Sequence, residues 1–272
     1  MAILGMGIET YLYVNGISCS NEIELRKGIT FMPTYSNAKI EKISHLLKND
    51  IDSSITTLSF LNLSSQLRIT ASDSKQLAIE AWNAQWDCLL LGALFNCEVM
   101  CNIQCDKMIR DIEKASYISV TNYDLRALLK GRYCLSKDDE VWIQNFYNNA
   151  NKLMVNTKYR NAVYAMATYR WHSMPYVQLA VLWSGIEALF HIKIKISSKI
   201  GIYIAKFLSK ENIDEYNKQI KKLYAMRSLS VHGNEIKDHK KLQLVVNKSA
   251  LLLNEIIKCC AEHCTIPSMH KN

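Results

Sequence analysis

Six successive segments of the chain's second half repeat their apolar residues at intervals of three and four: Lys137 to Leu153, Thr157 to Trp171, Tyr176 to His191, Ser197 to Leu208, Ile213 to His232 and Lys240 to His263. That spacing puts the apolar side chains of each segment on one stripe of a helix, which has to find a partner stripe. Ser136 is an N-cap candidate for the first, with Asp138, Asp139 and Glu140 where negative charge suits the helix dipole. Pro175 stands near the start of its helix, where a missing donor costs little. The last segment carries a plain core stripe of Leu242, Val245, Val246, Leu252, Leu253, Ile256 and Ile257. Long helices joined by short polar turns make a bundle. With only 9 Gly and 3 Pro in 272 residues, a turn-rich all-β design is disfavoured.

The first half has a different texture. Glu9 to Gly16 and Glu22 to Pro33 are rich in Ile, Leu, Tyr and Val and read as strands separated by a polar turn, Pro33 closing the second. Ile40, Ile43, Leu46 and Leu47 give Asn37 to Leu47 a helical spacing with Ser36 as N-cap. Ser54 to Thr70, full of Ser, Thr, Ile and Leu, suggests one long strand or a hairpin, and Ser74 to Phe95 a strong helix. Cys97, Val99, Cys101, Ile103 and Cys105 alternate with polar or larger residues, the period of a half-buried strand. A short helix is expected at Tyr123 to Lys130, stopped by Gly131. The predicted class is α+β: a mixed α/β module over residues 1–106, a connecting segment over 107–135, and an all-α bundle over 136–272.

Several chemistries are disfavoured. No Walker loop, dinucleotide glycine fingerprint or His-Glu-x-x-His occurs. Cys97, Cys101 and Cys105 lie along one extended segment instead of pairing through a short turn, so they read as buried thiols rather than zinc ligands. Cys259, Cys260, His263, Cys264 and His270 near the tail read as packing plus a loose terminus, and no metal or cofactor is expected. Met1 to Gly7 is short, lacks a basic leader and runs into Glu9. Val177 to Ile192 is apolar but carries Glu187, which argues against a membrane span. A cytoplasmic chain with reduced cysteines is the resulting expectation, and the odd count of 9 Cys fits no complete disulfide framework. A net charge of +8 has the sign of a polyanion-binding surface without being specific to one.

The stretch richest in chemistry is Lys221 to Asn234, Lys-Lys-Leu-Tyr-Ala-Met-Arg-Ser-Leu-Ser-Val-His-Gly-Asn, the end of a helix stopped at Gly233. Arg227 and His232 stand five positions apart, about 140° around an ideal helix, so they share no face. A long Arg at a fraying end reaches toward such a His, and a second copy of the helix brings two pairs together. A permanent cation beside a group that titrates near neutrality suits phosphoryl transfer. An ordinary last turn, with His and Arg favourably placed on the dipole, is the competing reading. Glu187, a carboxylate within an apolar helix, needs a partner; it either orients Arg227 or His232 or forms an ion pair that fixes the bundle. Tyr224 and Asn234 are flanking contacts or, respectively, core packing and a C-cap. Lys221 and Lys222, with Lys193, Lys195 and Lys199, either bind RNA phosphates or form solvated faces.

Three pieces of this half resemble the HEPN superfamily, in particular its ApeA-like branch. Leu182 to Phe190 (Leu-Trp-Ser-Gly-Ile-Glu-Ala-Leu-Phe) is similar to that branch's apolar-x-Leu-Glu-x-Leu-Phe helix, and Ser197 to Leu208 to the helix after it. Leu223 to Gly233 is similar to its Leu-Tyr-x-x-Arg-Ser-x-x-Val-His-Gly signature, and the three fall in the family's order and spacing. The region before them loosely resembles the mixed α/β part often found ahead of such domains.

The resemblance implies an all-α domain that forms a homodimer with two Arg-x(4–6)-His motifs facing each other, in active members a metal-independent RNA endonuclease. Arg227 and His232 fill that motif; Ser228 stands where many active members place Asn, Asp or His, and supplies both a donor and an acceptor. It also implies a role in bacterial defence against phages through abortive infection, with a phage-derived trigger or regulatory protein as a further partner. The other reading kept open is a non-catalytic module that binds RNA, a nucleotide or a protein partner.

Overall fold

The computed structural model describes residues 3–34, 41, 43–126, 131–190, 196–231 and 238–267, and it is an α+β protein. The chain divides into two compact units, one formed by Met1–Gly92 with Cys97–Asn148 and one by Ala93–Asn96 with Asn149–Asn272.

The first unit is built on a six-stranded antiparallel sheet: β1 (Glu9–Asn15), β3 (Ile23–Arg26), β4 (Ile29–Pro33), β5 (Leu63–Thr70), β6 (Met100–Cys105) and β7 (Ile118–Val120), in the order β3-β4-β5-β1-β6-β7. Two short strands, β2 (Ile17–Ser18) and β8 (Tyr133–Cys134), pair in parallel beside it. Tyr11, Tyr13, Met32, Ile103, Cys105, Ile118 and Val120 share a core on one face with Ile55 of helix α1 (Asp50–Leu61) and with Ile109 and Ile112 of a short 3-10 helix. Helix α2 (Ser74–Leu94) is tied to the sheet where Arg26 meets its Glu80 and Asp87. A sheet buried this deeply has to satisfy its polar side chains internally. Thr10 donates to the Cys105 carbonyl at 3.0 Å, Ser64 to Val14 at 3.0 Å and Ser65 to Ile17 at 2.7 Å, while Gln104 donates to the Leu4 carbonyl at 2.7 Å.

Four sequence expectations are corrected here. Glu22 to Pro33 is not one strand but the hairpin β3–β4, turned at Lys27-Gly28 with Gly28 at φ +79°. A Cβ there would approach the Thr70 carbonyl oxygen to 2.7 Å, so glycine serves both the turn and the neighbour. Ser54 to Thr70 is the end of α1 followed by β5. The hydroxyls of Ser53, Ser54, Thr56 and Thr57 each donate to the carbonyl four residues back at 2.7–3.1 Å, which reconciles a Ser/Thr-rich stretch with a helix that Asn49 caps. The alternation around Cys101 does not mark a half-buried strand: Asn102 and Gln104 are as buried as Cys101 and Cys105, because chain covers their side as well, Asn102 donating to the Asn122 and Asp124 carbonyls and Gln104 to that of Leu4. Cys97 precedes that strand, its N–H donating to Gly92 at 3.1 Å.

The segment 107–135 likewise supplies structure, namely the Ile109–Lys114 3-10 helix, β7 and β8. The first unit continues to Asn148 because Glu140, on helix α3 (Lys137–Leu153), accepts from the Ser20 and Asn21 N–H groups at 2.5 and 3.3 Å, and Tyr147 donates to Asp87 at 2.7 Å. Of the helix expected at Asn37 to Leu47, the described part holds a 3-10 turn at Ser44–Leu46; Ser36, Asn37 and Ile40 lie outside the described residues, as do residues 127–130 of the one expected at Tyr123 to Lys130.

The six helices read from the periodicity of the second half are all present. Ser136 exchanges hydrogen bonds with Asp139 at the start of α3, at 2.8–3.1 Å. The second unit contains α4 (Thr157–Thr168), continued by a 3-10 turn to Trp171, then α5 (Pro175–Phe190), α6 (Ile196–Phe207), α7 (Ile213–Val231) and α8 (His239–His263). α5 packs against α4, α7 and α8, and α6 against α7. Small residues set the closest approaches: a Cβ on Gly185 would sit 2.7 Å from the Cβ of Ala165. Among the described residues, no helix is long and apolar enough to cross a membrane, and no group of three or more His, Cys, Asp or Glu residues is placed to hold a metal ion.

Candidate functional site

The site forms where α5 meets α7. On α7, Ile220, Tyr224 and Arg227 follow one another at spacings of four and three, so the stripe that begins with the buried Ile220 directs Arg227 inward rather than to solvent. On α5, Glu187 stands at the edge of a face that buries Leu182, Trp183, Ile186 and Phe190. The two charges meet there. Arg227 Nη2 lies 3.2 Å from Glu187 Oε1 and donates to Oε2 at 3.3 Å, with the two side chains 21% and 24% exposed.

Three further contacts hold this pair. The Arg227 guanidinium carbon stands 5.6 Å from the centre of the Tyr224 ring, a cation–π arrangement within one helix face. Tyr224 in turn meets Trp183 edge to face, centroids 5.2 Å apart at 78°. Trp183 is fully buried and donates its indole N–H to Ser249 Oγ on α8 at 3.1 Å. Three helices thus set the position of one guanidinium. Sequence reasoning missed Trp183 and Ser249, although Trp183 lies four residues before Glu187 and therefore on its face.

Burial raises the Glu187 carboxyl above its ordinary value, and Arg227 opposes that rise without cancelling it. The Tyr224 phenol is raised by burial and by the Glu187 charge, with Arg227 again opposing. Two polar atoms of the pair remain without a hydrogen-bond partner among the described residues: Glu187 Oε1, close to Nη2 but poorly aligned with it, and Arg227 Nε.

The other candidate residues are distributed around this centre. Ser228 is half-buried on α7 beside Arg227. Lys221 and Lys222 are exposed on α7, about 120° and 140° around the helix from Arg227, so they do not point at the ion pair. Lys199 is exposed on α6. His232, Asn234, Lys193 and Lys195 lie outside the described residues; α7 is described to Val231, the residue before His232. In the tail cluster Cys259 is half-buried, Cys260 buried and Cys264 exposed, while His270 lies outside the described residues.

Chemically, the arrangement offers a positioned cation whose Nε–H is unmatched, backed by a carboxylate and an aromatic face. A guanidinium so placed has the chemistry to engage an oxyanion. No family model, curated protein or solved structure matches the chain.

Proposed function

We propose that the chain is a metal-independent RNA endonuclease of the HEPN type, acting as a homodimer in the cytoplasm as an anti-phage or abortive-infection effector. The observation that carries this reading is the Arg227 guanidinium, positioned by Glu187, Tyr224 and Trp183 on the helix that leads directly into His232. The likeness of Leu182 to Phe190 and Leu223 to Gly233 to the ApeA-like motifs supports it.

Cleavage of RNA without a metal takes three operations. A base removes the 2′-hydroxyl proton, the oxygen so freed attacks phosphorus, and an acid protonates the departing 5′-oxygen. In a two-fold dimer one His232 imidazole is the base and its symmetry mate, protonated, the acid. The Arg227 side chains neutralise the charge that builds on the phosphoryl oxygens and stay protonated throughout. The required 2′-hydroxyl makes DNA a non-substrate. The first unit then serves as the part that meets a phage-derived trigger or a regulatory protein.

The test is cleavage of mixed cellular RNA in the presence of chelator by the purified protein, beside Arg227→Ala and His232→Ala. Chelator-resistant cleavage abolished in both variants is the expected result. An inactive wild-type dimer, with phage lysate added, would replace this reading with the second one, a module that binds RNA, a nucleotide or a protein partner without cutting. What favours the second is that Arg227 is already engaged by a carboxylate of its own chain, an arrangement equally suited to fixing a bundle.

A further inference from the structure

The Glu187–Arg227 contact is an unfinished ion pair. A carboxylate and a guanidinium fit each other through two parallel hydrogen bonds, yet here one nitrogen, Nη2, serves both carboxylate oxygens at 3.2 and 3.3 Å. Arg227 Nε is buried and unpartnered, and Glu187 Oε1 lacks an aligned donor. Such atoms cost free energy while they stay unmatched, so this pair holds its cation weakly for so sheltered a place. The Tyr224 ring, itself held edge to face by Trp183, meanwhile meets the guanidinium independently of the carboxylate.

We infer that Glu187 is a displaceable counter-ion: it neutralises Arg227 in the resting chain, and an incoming phosphodiester takes the guanidinium over as the pair opens, giving the unmatched Nε an acceptor. The inference rests on the reading of Arg227 as a phosphate-binding residue and adds its regulation. Glu187 lowers the affinity of the empty site for stray anions, and only a ligand with further contacts elsewhere competes with it. Removing the carboxylate charge while keeping its shape therefore tightens phosphodiester binding instead of loosening it. A residue that merely orients Arg227 for its ligand has the opposite signature, since its loss frees the guanidinium and weakens binding.

The experiment is equilibrium binding of a 2′-O-methyl RNA oligonucleotide, which lacks the attacking hydroxyl, to the full chain at pH 8 and fixed salt. Wild type is compared with Glu187→Gln and Arg227→Gln. Glu187→Gln is expected to bind about two- to fivefold more tightly, the range in which a partly exposed ion pair competes with a ligand. Arg227→Gln is expected to bind more weakly than wild type. Unchanged or weaker binding by a folded Glu187→Gln overturns the counter-ion role while leaving Arg227 as a ligand. An unaltered affinity in Arg227→Gln overturns the phosphate-site reading itself. If Glu187→Gln does not fold, the wild type decides: its Arg227 Nε–H resonance, assigned by its absence in Arg227→Gln, shifts saturably with oligonucleotide, and a resonance that stays put overturns the inference.

Discussion

Each unit of the molecule holds an arginine against carboxylates, and the two clusters are made to opposite standards. In the first, Arg26 reaches Asp87 through Nε at 3.1 Å and Nη2 at 3.0 Å, and Glu80 through Nη1 at 2.7 Å. Tyr147 donates to Asp87 at 2.7 Å and Gln76 to Glu80 at 2.9 Å, so both carboxylates are supplied with donors in addition to the arginine. In the second, Glu187 and Arg227 share a single nitrogen and leave Oε1 and Nε unmatched. Where selection acts on stability alone, buried polar groups tend to be completed, and groups left incomplete near a cleft or helix end invite a functional reading. The complete cluster is cement between a strand and helices; the incomplete one is the candidate site.

The widest separation between the two is expected from deleting each arginine. Arg26→Met leaves Asp87, 3% exposed, without its charge partner and is expected to cost about 3–5 kcal/mol. Arg227→Met breaks a pair whose members are 21% and 24% exposed, and about 1 kcal/mol or less is expected. Amide hydrogen exchange reads the units separately, through β1 and β5 for the first and α5 for the second. Equal losses of protection would abolish the distinction between cement and site.

How much of this was legible beforehand follows the same division. In the helical half the three-four spacing sufficed, since each helix buries one stripe and its caps (Ser136, Asn156, Asp238) are local signals. In the sheet half, local signals competed with tertiary ones. The hydroxyls that made Ser54 to Thr70 look extended bond back onto their own helix, and the turn at Gly28 hides inside a β-rich run. Gln104 of β6 is met by the Leu4 carbonyl and Ile103 stands opposite Tyr13, partners far along the chain that no window of sequence contains. Of the site, Glu187 was legible because a lone carboxylate in an apolar helix demands a partner. Ser249 was not: it is one hydroxyl in the buried stripe of α8, and only the packing of α5 on α8 brings Trp183 to it.

That hydroxyl sharpens the comparison at a smaller scale. Ser249→Ala leaves the Trp183 indole N–H buried without an acceptor, for which about 1–2 kcal/mol is expected. If the Trp183–Tyr224 contact carries position to Arg227, Ser249→Ala also disturbs the Arg227 Nε–H resonance, although Ser249 is not among the groups paired with the guanidinium. Loss of stability with an unmoved Arg227 signal would confine Ser249 and Trp183 to the core and leave the site to Glu187 and Tyr224.

The smallest expected effect, and the most discriminating, is in pH. Burial raises both the Asp87 and the Glu187 carboxyl in the folded state, and the partner arginine opposes the rise in each case. A carboxyl raised on folding binds more protons folded than unfolded, so its contribution to stability is fullest below the unfolded value and is lost as pH climbs through the folded one. Removing the arginine lifts that folded value further. The penalty of each arginine deletion should therefore be smaller near pH 4.5, where the orphaned carboxylate escapes by protonation, than at pH 8. Asp87 is the more deeply buried, so Arg26→Met should recover more of its loss on acidification than Arg227→Met. Exchange protection at the two pH values, corrected for intrinsic rates, measures both differences. A penalty for Arg227→Met that does not change with pH would mean that solvent, rather than Arg227, keeps Glu187 charged, and that the unmatched Oε1 is served by water.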